Sequence, residues 1–372
     1  MCIRDRLLVD TWDKALSDLV SEIKQRGPEN TVSISGKFTD VETLFASKLF
    51  LESIESKLFD CRFDNAQFIE GSRTSYVLNS SIQEIENADA ILLIGSNPRW
   101  EASVLNARIR KAYLQNDCKI GLIGKNINLN YNFVHLSDSI AHINEIHDGT
   151  SSFCKILKEA KNPLIIIGTS AINHEEGQNV LNNCAEIAKK LPNSNNNFNP
   201  LNILHQDISR VGALDLGYYN SLFNFSFEEN LKNIIDKTKP VVFLIGQDEI
   251  DMEVLNDAFV VYLGHHGDKG ASVADIILPT PAYTEKTSTY VNTEGRVLQT
   301  SKCHSSLGEA KEEWKIFRAL SDSFGNILKF NNLQELREKL LLEHSMFSKL
   351  FEKPSRNKIS FGSKELILSL IH

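Results

Sequence analysis

The sequence has no group of cysteines with metal-binding spacing. Its six cysteines stand at positions 2, 61, 118, 154, 184 and 303, and no two of them form a CxxC pair. Zinc and iron-sulfur sites need several cysteines at short intervals, so we expect no metal site in this chain. Isolated cysteines are typical of reduced thiols in a cytosolic compartment.

Long apolar runs and concentrated basic segments are also missing. The longest apolar runs, such as 163–168 and 241–246, fall far short of the ~20 residues that cross a bilayer. We therefore expect no direct membrane insertion. The 372 residues carry a formal net charge of -8 with scattered Lys and Arg, which argues against nucleic-acid binding. Residues 1–6 lack the features of a signal peptide and are interpreted as a non-native start.

Nucleotide-binding signatures are absent as well. The sequence has neither a dinucleotide GxGxxG nor a Walker pattern. A glycine-rich stretch at 264–270 precedes residues 274–278, which resemble a strand, whereas a phosphate loop needs a helix there. His265 and His266 are adjacent and are expected to diverge, so they do not suit one metal ion.

What the chain does have is a series of apolar runs that end in glycine. Each predicts a buried parallel strand that feeds a loop, and helical patterns lie between several of them. This alternation predicts an α/β protein with two Rossmann-like, doubly wound lobes of mainly parallel sheet. The predicted strands are 32–36, 91–95, 120–124, 164–168, 241–246 and 260–264, and the helices are 41–57, 98–114, 177–191 and 227–237.

Length and pattern breaks suggest a division into consecutive lobes. After the non-native start, we predict a first lobe over 7–150, a second over 151–310 and a helical C-terminal extension over 311–372. A weak internal echo supports two units, because 91–106 resembles 242–256 in its strand, glycine, polar turn and helix.

The most informative segment is the turn that follows the strand at 91–95. Gly95 allows a sharp turn, Ser96 or Asn97 can cap the following helix, and Pro98 suits its first turn. Free amides at such a helix start can hold an anion, and Arg99 adds a charge beside them. This turn is a candidate ligand-binding loop, whose residues are Gly95, Ser96, Asn97, Pro98 and Arg99.

A second candidate block spans 264–296. Glu285, Glu294 and Arg296 either form a paired network that fixes the loop or contact a ligand, and we favour the structural role. We expect Asp275 to brace the loop and Asn292 to bond to nearby backbone. Nothing in the block specifies a pair of reacting groups, so we predict no catalytic residue.

Long phrases in these blocks resemble a known superfamily. GSNPR at 95–99, ADIILP at 274–279 and NTEGR at 292–296 resemble the molybdopterin oxidoreductases. NPRWEASVLNARIRK, ALDLGYYN and AYTEKTSTYVNTEGR are more narrowly similar to the large iron-sulfur subunits of respiratory NADH-quinone oxidoreductase (complex I). The likeness runs from about residue 12 to about residue 347.

The resemblance implies a structural role. It identifies the chain as the C-terminal, molybdopterin-oxidoreductase-like body of that large subunit, a scaffold of the peripheral arm that supports electron transfer from NADH to quinone without catalysis of its own. The iron-sulfur clusters then belong to an N-terminal region outside this sequence. The implied partners are other peripheral-arm subunits, and the implied location is the cytoplasmic face of the bacterial inner membrane, or the matrix side in mitochondria.

The resemblance also identifies the two candidate blocks as a vestigial cofactor pocket. It leaves two other functions open. In molybdenum enzymes the two candidate blocks hold a pterin dinucleotide, and a Cys, selenocysteine, Ser or Asp binds the metal. Cys61 is the one candidate ligand near the expected place, and we interpret Arg62 and Asp64 as surface or interface charges. We expect no cofactor here. The alternatives are a molybdopterin-dependent oxidoreductase with an occupied pocket and a free-standing Rossmann-type nucleotide-binding module.

Overall fold

The computed structural model describes residues 8–173, 175–192 and 198–351, with the side chains of 349–351 left aside. The predicted non-native start at 1–6 and the end of the predicted extension, 352–372, lie outside these residues. In the described residues, no helix is long and apolar enough to cross a membrane.

Most strands form two parallel five-stranded sheets. The first sheet has the order β10-β9-β8-β1-β2, the second has the order β5-β4-β3-β6-β7, and β11 and β12 form an antiparallel hairpin. The strands are β1 (Val32–Ser35), β2 (Leu58–Asp60), β3 (Ala90–Ile94), β4 (Lys119–Ile123), β5 (Val134–Ser137), β6 (Pro163–Gly168), β7 (Leu201–Leu204), β8 (Val241–Ile245), β9 (Phe259–Gly264), β10 (Ile276–Pro279), β11 (Thr289–Val291) and β12 (Val297–Gln299).

Helices cover the faces of both sheets, which explains why the central strands are apolar throughout. The helices are α1 (Trp12–Arg26), α2 (Val41–Ser53), α3 (Pro98–Glu101), α4 (Ser103–Gln115), α5 (Ile143–Asp148), α6 (Phe153–Glu159), α7 (Gly177–Lys190), α8 (Arg210–Asp215), α9 (Phe227–Thr238), α10 (Lys269–Val273), α11 (Glu313–Ser323) and α12 (Leu333–Glu343). Short 3-10 helices lie at Pro28–Asn30, Arg73–Ser75, Glu84–Asn87, Ile140–His142, Thr169–Ala171, Ser221–Phe223, Met252–Leu255 and Ser345–Phe351.

The two sheets have the same winding but a different relation to the chain. β3 is the central strand of the second sheet; the chain adds β4 and β5 on one side and then β6 and β7 on the other. The first sheet has the same pattern if counting starts at β8, with β9 and β10 on one side and β1 and β2 on the other. The internal similarity between 91–106 and 242–256 therefore marks the two equivalent central strands, β3 and β8.

This topology corrects the predicted lobe boundaries. The second sheet is built wholly from residues 90–204, and the first sheet combines residues 32–60 with 241–279. The predicted boundary at residue 150 falls between β5 and β6, inside the second sheet. The second lobe, meaning the second sheet with its helices, is thus inserted into the first lobe. The prediction was wrong because a break in the pattern marks a loop but does not say which strands pair across it.

The helical residues after 311 belong to the first lobe. Helix α11 packs on α2, and Leu336, Leu340 and Phe347 lie buried in the same apolar core as Phe45 and Phe243. The apolar face formed by these residues therefore packs on the body of the same chain.

Two local predictions need correction. The segment 190–202 is rich in Asn and Pro, which predicts a surface loop, but it includes the start of β7, whose four residues are all buried; residues 193–197 are outside the described part. A five-residue helix, α10, follows the glycine-rich loop, and the strand begins at Ile276 instead of 274. Asp268 starts that helix, because its side chain accepts a hydrogen bond from the backbone N–H of Ala271.

Candidate functional site

Ligands of doubly wound sheets bind outside the carboxyl ends of the strands, where neighbouring connections run in opposite directions. In the second sheet this switch point lies between β3 and β6. A Cβ placed on Gly168, which ends β6, would lie 2.3 Å from the carbonyl oxygen of Gly95. In the first sheet the switch point lies between β8 and β1, and a Cβ on Gly36 would lie 1.9 Å from the carbonyl oxygen of Gly246. Backbone thus packs directly on backbone at both switch points.

The predicted loop Gly95–Arg99 lies at the switch point of the second sheet. Gly95 has φ +54°, the left-handed conformation that favours glycine. The Ser96 hydroxyl donates to Glu101 Oε2 at 2.8 Å, so it does not cap the helix. Asn97 precedes Pro98 at the helix start but forms no side-chain cap, and its buried Oδ1 has no hydrogen-bond partner among the described residues.

The short helix after this loop does not match the predicted anion site. Helix α3 has four residues and ends at Ala102, where the backbone leaves the helical region. The backbone N–H groups of Trp100 and Glu101 both donate to the Asn97 carbonyl, so they do not point freely at a ligand. Arg99 is exposed, and its guanidinium donates to the backbone carbonyl of Asn128 at 3.2 Å.

The acidic residues of the second predicted block bond to backbone. Asp275 lies before β10, at the amino end of the sheet, where its carboxylate accepts from the Val260 N–H at 2.8 Å. Glu285 accepts from the Ala282 N–H at 3.1 Å. Glu294 accepts from the Ile82 N–H at 2.8 Å. Glu285 braces its own loop, Asp275 and Glu294 tie theirs to other segments, and the described contacts do not join Glu285 or Glu294 to the exposed Arg296.

The turn between β11 and β12 connects the two lobes. Asn292 Oδ1 accepts from the Arg296 N–H at 2.8 Å and closes the turn, as expected for an Asn in that position. The Thr293 carbonyl accepts from the Leu78 N–H at 2.7 Å, and the Thr293 hydroxyl donates to the Ile203 carbonyl at the end of β7. The second candidate block therefore fastens the first lobe to the second through this turn.

Two crossing segments carry the chain between the lobes, and buried charges fill the space between them. One segment follows β2 and the other follows β7. Arg62 donates to both carboxylate oxygens of Asp60 at 3.0 and 2.6 Å, and Arg62 is 3 % exposed. Arg210, 1 % exposed, donates from Nη2 to Asp64 at 2.8 Å and to Asp207 at 2.6 Å. We call these five residues the seam cluster.

The sequence interpretation of this cluster was partly wrong. Arg62 is buried, not a surface charge, and the Asp64 side chain is a quarter exposed. The sequence CRFD at 61–64 gave no sign that its charged side chains are buried. Arg210, the partner of Asp64, lies far away in the chain. Although burial raises the pKa of Asp64, the Arg210 guanidinium outweighs it and holds that pKa below its usual value. Burial of paired charges fixes relative positions of the segments that carry them.

Cys61 lies beside the seam cluster. The side chain is buried, and burial raises the pKa of its thiol to about 12 despite the nearby Arg210 guanidinium. His205 donates from Nε2 to the Tyr76 carbonyl at 2.8 Å, and burial with Arg210 lowers its pKa to about 4. At neutral pH the site therefore holds a protonated thiol and a neutral imidazole.

These residues do not fit a metal-bound pterin dinucleotide. The Cys61 side chain is 2% exposed and packs in the apolar core of the first lobe, so it does not face an open site. The described residues contain no group of three or more His, Cys, Asp or Glu side chains that could hold a metal ion. At each switch point two glycines meet backbone to backbone, and the charged seam cluster lies beside Cys61.

An open groove lies at the carboxyl ends of β9 and β10. Its volume is about 490 Å³. The His265 and His266 rings at its edge are 4.5 Å apart in an edge-to-face arrangement, contrary to the expectation that they diverge. The groove is lined by Gly264, His265, His266, Gly267, Ala271, Ile277, Pro279, Thr280, Ala282, Glu285, Leu307 and Ala310.

A second buried charge cluster, which the sequence did not reveal, joins the C-terminal helices to the first lobe. Lys286 contacts Asp40 at 2.6 Å and Glu313 at 2.8 Å, and all three are buried. Arg337 of α12 contacts Glu42 at 2.7 Å. Burial raises the pKa values of Glu42 and Glu313, whereas Lys286 outweighs burial at Asp40 and lowers its pKa. We call these five residues the helix anchor.

This architecture defines the class of protein. The chain has the fold of acetylene hydratase from Pelobacter acetylenicus, with a TM-score of 0.63 over 93% of this chain and 62% of that one at 13% identity. It also matches a chain of the formyltransferase/hydrolase complex from Methylorubrum extorquens, with a TM-score of 0.62 over 89% of this chain and 97% of that one at 13% identity. Identities this low support the fold alone.

Sequence comparison gives the family. The molybdopterin oxidoreductase family model matches residues 3–323, and the chain belongs to that family. It is 37% identical to the NADH-ubiquinone oxidoreductase 75 kDa subunit of Reclinomonas americana, over 89% of this chain and 49% of the relative. It is 36% identical to the mitochondrial 78 kDa subunit of Candida albicans, over 98% and 50%.

A bacterial relative matches over a similar share of both chains. An NADH-quinone oxidoreductase subunit from Rickettsia bellii is 34% identical over 97% of this chain and 51% of the relative. The chain therefore spans about half the length of the curated relatives it matches, and the resemblance inferred from its longest phrases is confirmed.

Proposed function

We propose that this chain is the scaffold body of the large iron-sulfur subunit of complex I and supports NADH-to-quinone electron transfer without catalysis of its own. The observation that carries the proposal is the set of ion pairs with buried arginines between the lobes, in a chain 34–38% identical to subunits of that enzyme. Electron carriers must be held at fixed separations, and a close-packed body resists deformation. The seam cluster and the helix anchor supply this rigidity.

We propose further that the pocket inherited from the molybdopterin family holds no pterin, and that iron-sulfur clusters belong to the half of the relatives that this chain does not match. The close glycine contacts at the switch points and the burial of Cys61 in the apolar core support this proposal. The expected partners are other peripheral-arm subunits. The expected location is the cytoplasmic face of the inner membrane, or the matrix side in a mitochondrion.

Assembly tests the proposal. The affinity-tagged full chain, purified in mild detergent from cells that produce it, is expected to bring with it the other complex I subunits and NADH-dependent ferricyanide reduction. The chain separated from them is expected to show no such reduction. Purification without any complex I subunit, or turnover by the isolated chain, would contradict the proposal.

A further inference from the structure

The surface of α3 and α4 carries an apolar stripe that nothing in the described structure covers. Trp100 is 82% exposed, Val104 72% and Leu114 60%. Ala107 and Lys111, which lie between them along the chain, are exposed as well. The opposite face of α4 is buried in the second lobe through Leu105, Ile109 and Ala112.

The spacing of the stripe is that of a helix-pairing surface. Within α4, Val104, Ala107, Lys111 and Leu114 are separated by three, four and three residues, and Trp100 lies just before them on α3, beyond the non-helical Ala102. This alternation places side chains in one seam facing a partner helix. Single exposed apolar residues are ordinary, but a row of them along one helix marks an interaction surface.

The charges beside the stripe define the partner. Residues 99–115 contain four basic side chains, Arg99, Arg108, Arg110 and Lys111, and one acidic side chain, Glu101. Glu86 pairs with Arg108 and Lys111, which leaves the surface with an excess of positive charge. The whole chain has a formal net charge of -8, so this surface opposes the overall charge. Charge complementarity calls for an acidic partner.

The same charges argue against a second copy of the chain. Two antiparallel stripes would place Arg99 of one copy beside Arg110 and Lys111 of the other, and two parallel stripes would place identical charges together. Like charges in contact weaken an interface. The chain's own residues outside the described part are also unsuitable by charge, because 352–372 contain four Lys or Arg and two Glu, and 1–7 contain two Arg and one Asp.

We infer that the α3–α4 stripe is a docking site for an acidic, amphipathic helix of another subunit in the assembly. The inference rests on the proposed function, which supplies the assembly. The apolar side chains supply the affinity, and the flanking arginines set the choice and orientation of the partner. Trp100 is the expected anchor, since large aromatic side chains dominate such contacts.

The test places a photo-crosslinking p-benzoyl-phenylalanine at position 104 of the full chain in the assembled complex. Mass spectrometry is expected to find it joined to an acidic helical segment of one other subunit. In parallel, the V104E/L114E variant is expected to lower the incorporated fraction about tenfold, as loss of a central contact does. Arg110→Glu is expected to lower it by a smaller factor that disappears at high salt.

The matched control is Leu342→Glu, which places the same charge on an 87% exposed leucine of α12. This variant is expected to assemble normally. Thermal unfolding of each isolated variant is expected to match that of the unmodified chain, because all substituted side chains are exposed. Lost assembly is then a docking effect and not a folding effect.

The outcomes separate this inference from the proposed function. If the unmodified chain assembles but position 104 crosslinks only to lipid, to a second copy or to its own chain, the docking inference fails alone. Normal assembly of V104E/L114E would also overturn it. If the unmodified chain joins no complex I subunit, the proposed function fails and the docking inference fails with it.

Discussion

The two sheets are wound alike, yet the chain builds them in different ways. The second sheet is continuous, from β3 to β7 within residues 90–204. The first sheet must bring β1 and β2 together with β8, which lies about two hundred residues further on and across the whole second lobe. A discontinuous sheet loses more chain entropy when it forms, so it needs stronger contacts between distant segments.

The buried polar contacts follow this difference. At the switch point of the first sheet, the Thr39 hydroxyl donates to the backbone carbonyls of Gly36 and Ile245 at 3.1 Å each, and Gln247 is fully buried. At the switch point of the second sheet, the exposed Ser170 hydroxyl donates to the Gly95 carbonyl. The helix anchor also belongs to the first lobe. Discontinuity in the first lobe is thus offset by buried polar contacts between segments that are far apart in the chain.

The largest effect is expected from the helix anchor. Lys286→Ala removes the cation that faces Asp40 and Glu313 and leaves buried carboxylates without compensation. We expect a loss of about 3–5 kcal/mol in the free energy of unfolding, measured by urea denaturation. Hydrogen exchange should accelerate in α11 and α12 before it does in β3. Lys315→Ala, which breaks the exposed pair with Glu312, is the control and should cost less than about 1 kcal/mol.

His205, which lies beside the seam cluster, should make stability fall on the acid side of neutrality. The pKa of His205 is lowered from 6.5 to about 4, so folding favours the neutral ring. Its contribution is complete above pH 6.5 and is lost as the pH falls towards 4, by up to about 3 kcal/mol. His205→Gln keeps a donor for the Tyr76 carbonyl and should flatten this decline between pH 7 and 5.

His147 provides the contrast for that measurement. It is a surface residue of the second lobe, and hydrogen bonds to Glu186 and Asp148 raise its pKa. Its contribution has the opposite sign, since it is present below pH 6.5 and is lost as the pH rises above that value. His147→Gln should therefore not flatten the acid-side decline and should make it slightly steeper. An equal response to both substitutions would refute the distinction between seam and surface.

The paired glycines compare the two switch points directly. A Cβ at Gly36 would lie 1.9 Å from backbone oxygen, and one at Gly168 would lie 2.3 Å from it. Both Gly36→Ala and Gly168→Ala should destabilise the chain, by about 1–3 kcal/mol or more, with the larger loss at Gly36. Gly267→Ala adds a Cβ in open space and should have little effect. Denaturant midpoints provide the test; equal midpoints for all three would contradict the packing described.

Sequence reasoning located the local features of both sheets well. Runs such as 91–95 and 241–246 coincide with β3 and β8 to within one residue, because a strand covered on both faces must be apolar along its length. Gly95 was identified because a strand that ends in a sharp turn needs its positive φ. The doubly wound class followed from strand and helix alternation alone.

The features that the sequence did not predict depend on contacts between residues that are distant in the chain. β2 has three residues and β7 four, too short for a periodic signal. Lys286 and Glu42 resemble surface charges in the sequence, because their partners Glu313 and Arg337 lie far away along the chain. The pairing of β1 with β8 leaves no mark in either strand. Lobe boundaries and buried charge clusters were therefore beyond local patterns.

The smallest effects should come from single hydroxyls at the switch points. Thr39→Val removes a buried donor shared by two carbonyls and should cost about 1–3 kcal/mol, because it leaves buried acceptors unpaired. Ser170→Ala removes an exposed donor and should cost at most about 1 kcal/mol. Urea denaturation of the two variants side by side measures the difference. A larger loss for Ser170→Ala would reverse the comparison between the sheets.

The proposed scaffold role depends on the absence of a pterin cofactor between the lobes. Its most direct test is metal and pterin analysis of the chain purified within its complex. We predict far less than one molybdenum or tungsten atom per chain and no extractable pterin. Stoichiometric metal with an equal amount of pterin would contradict the claim.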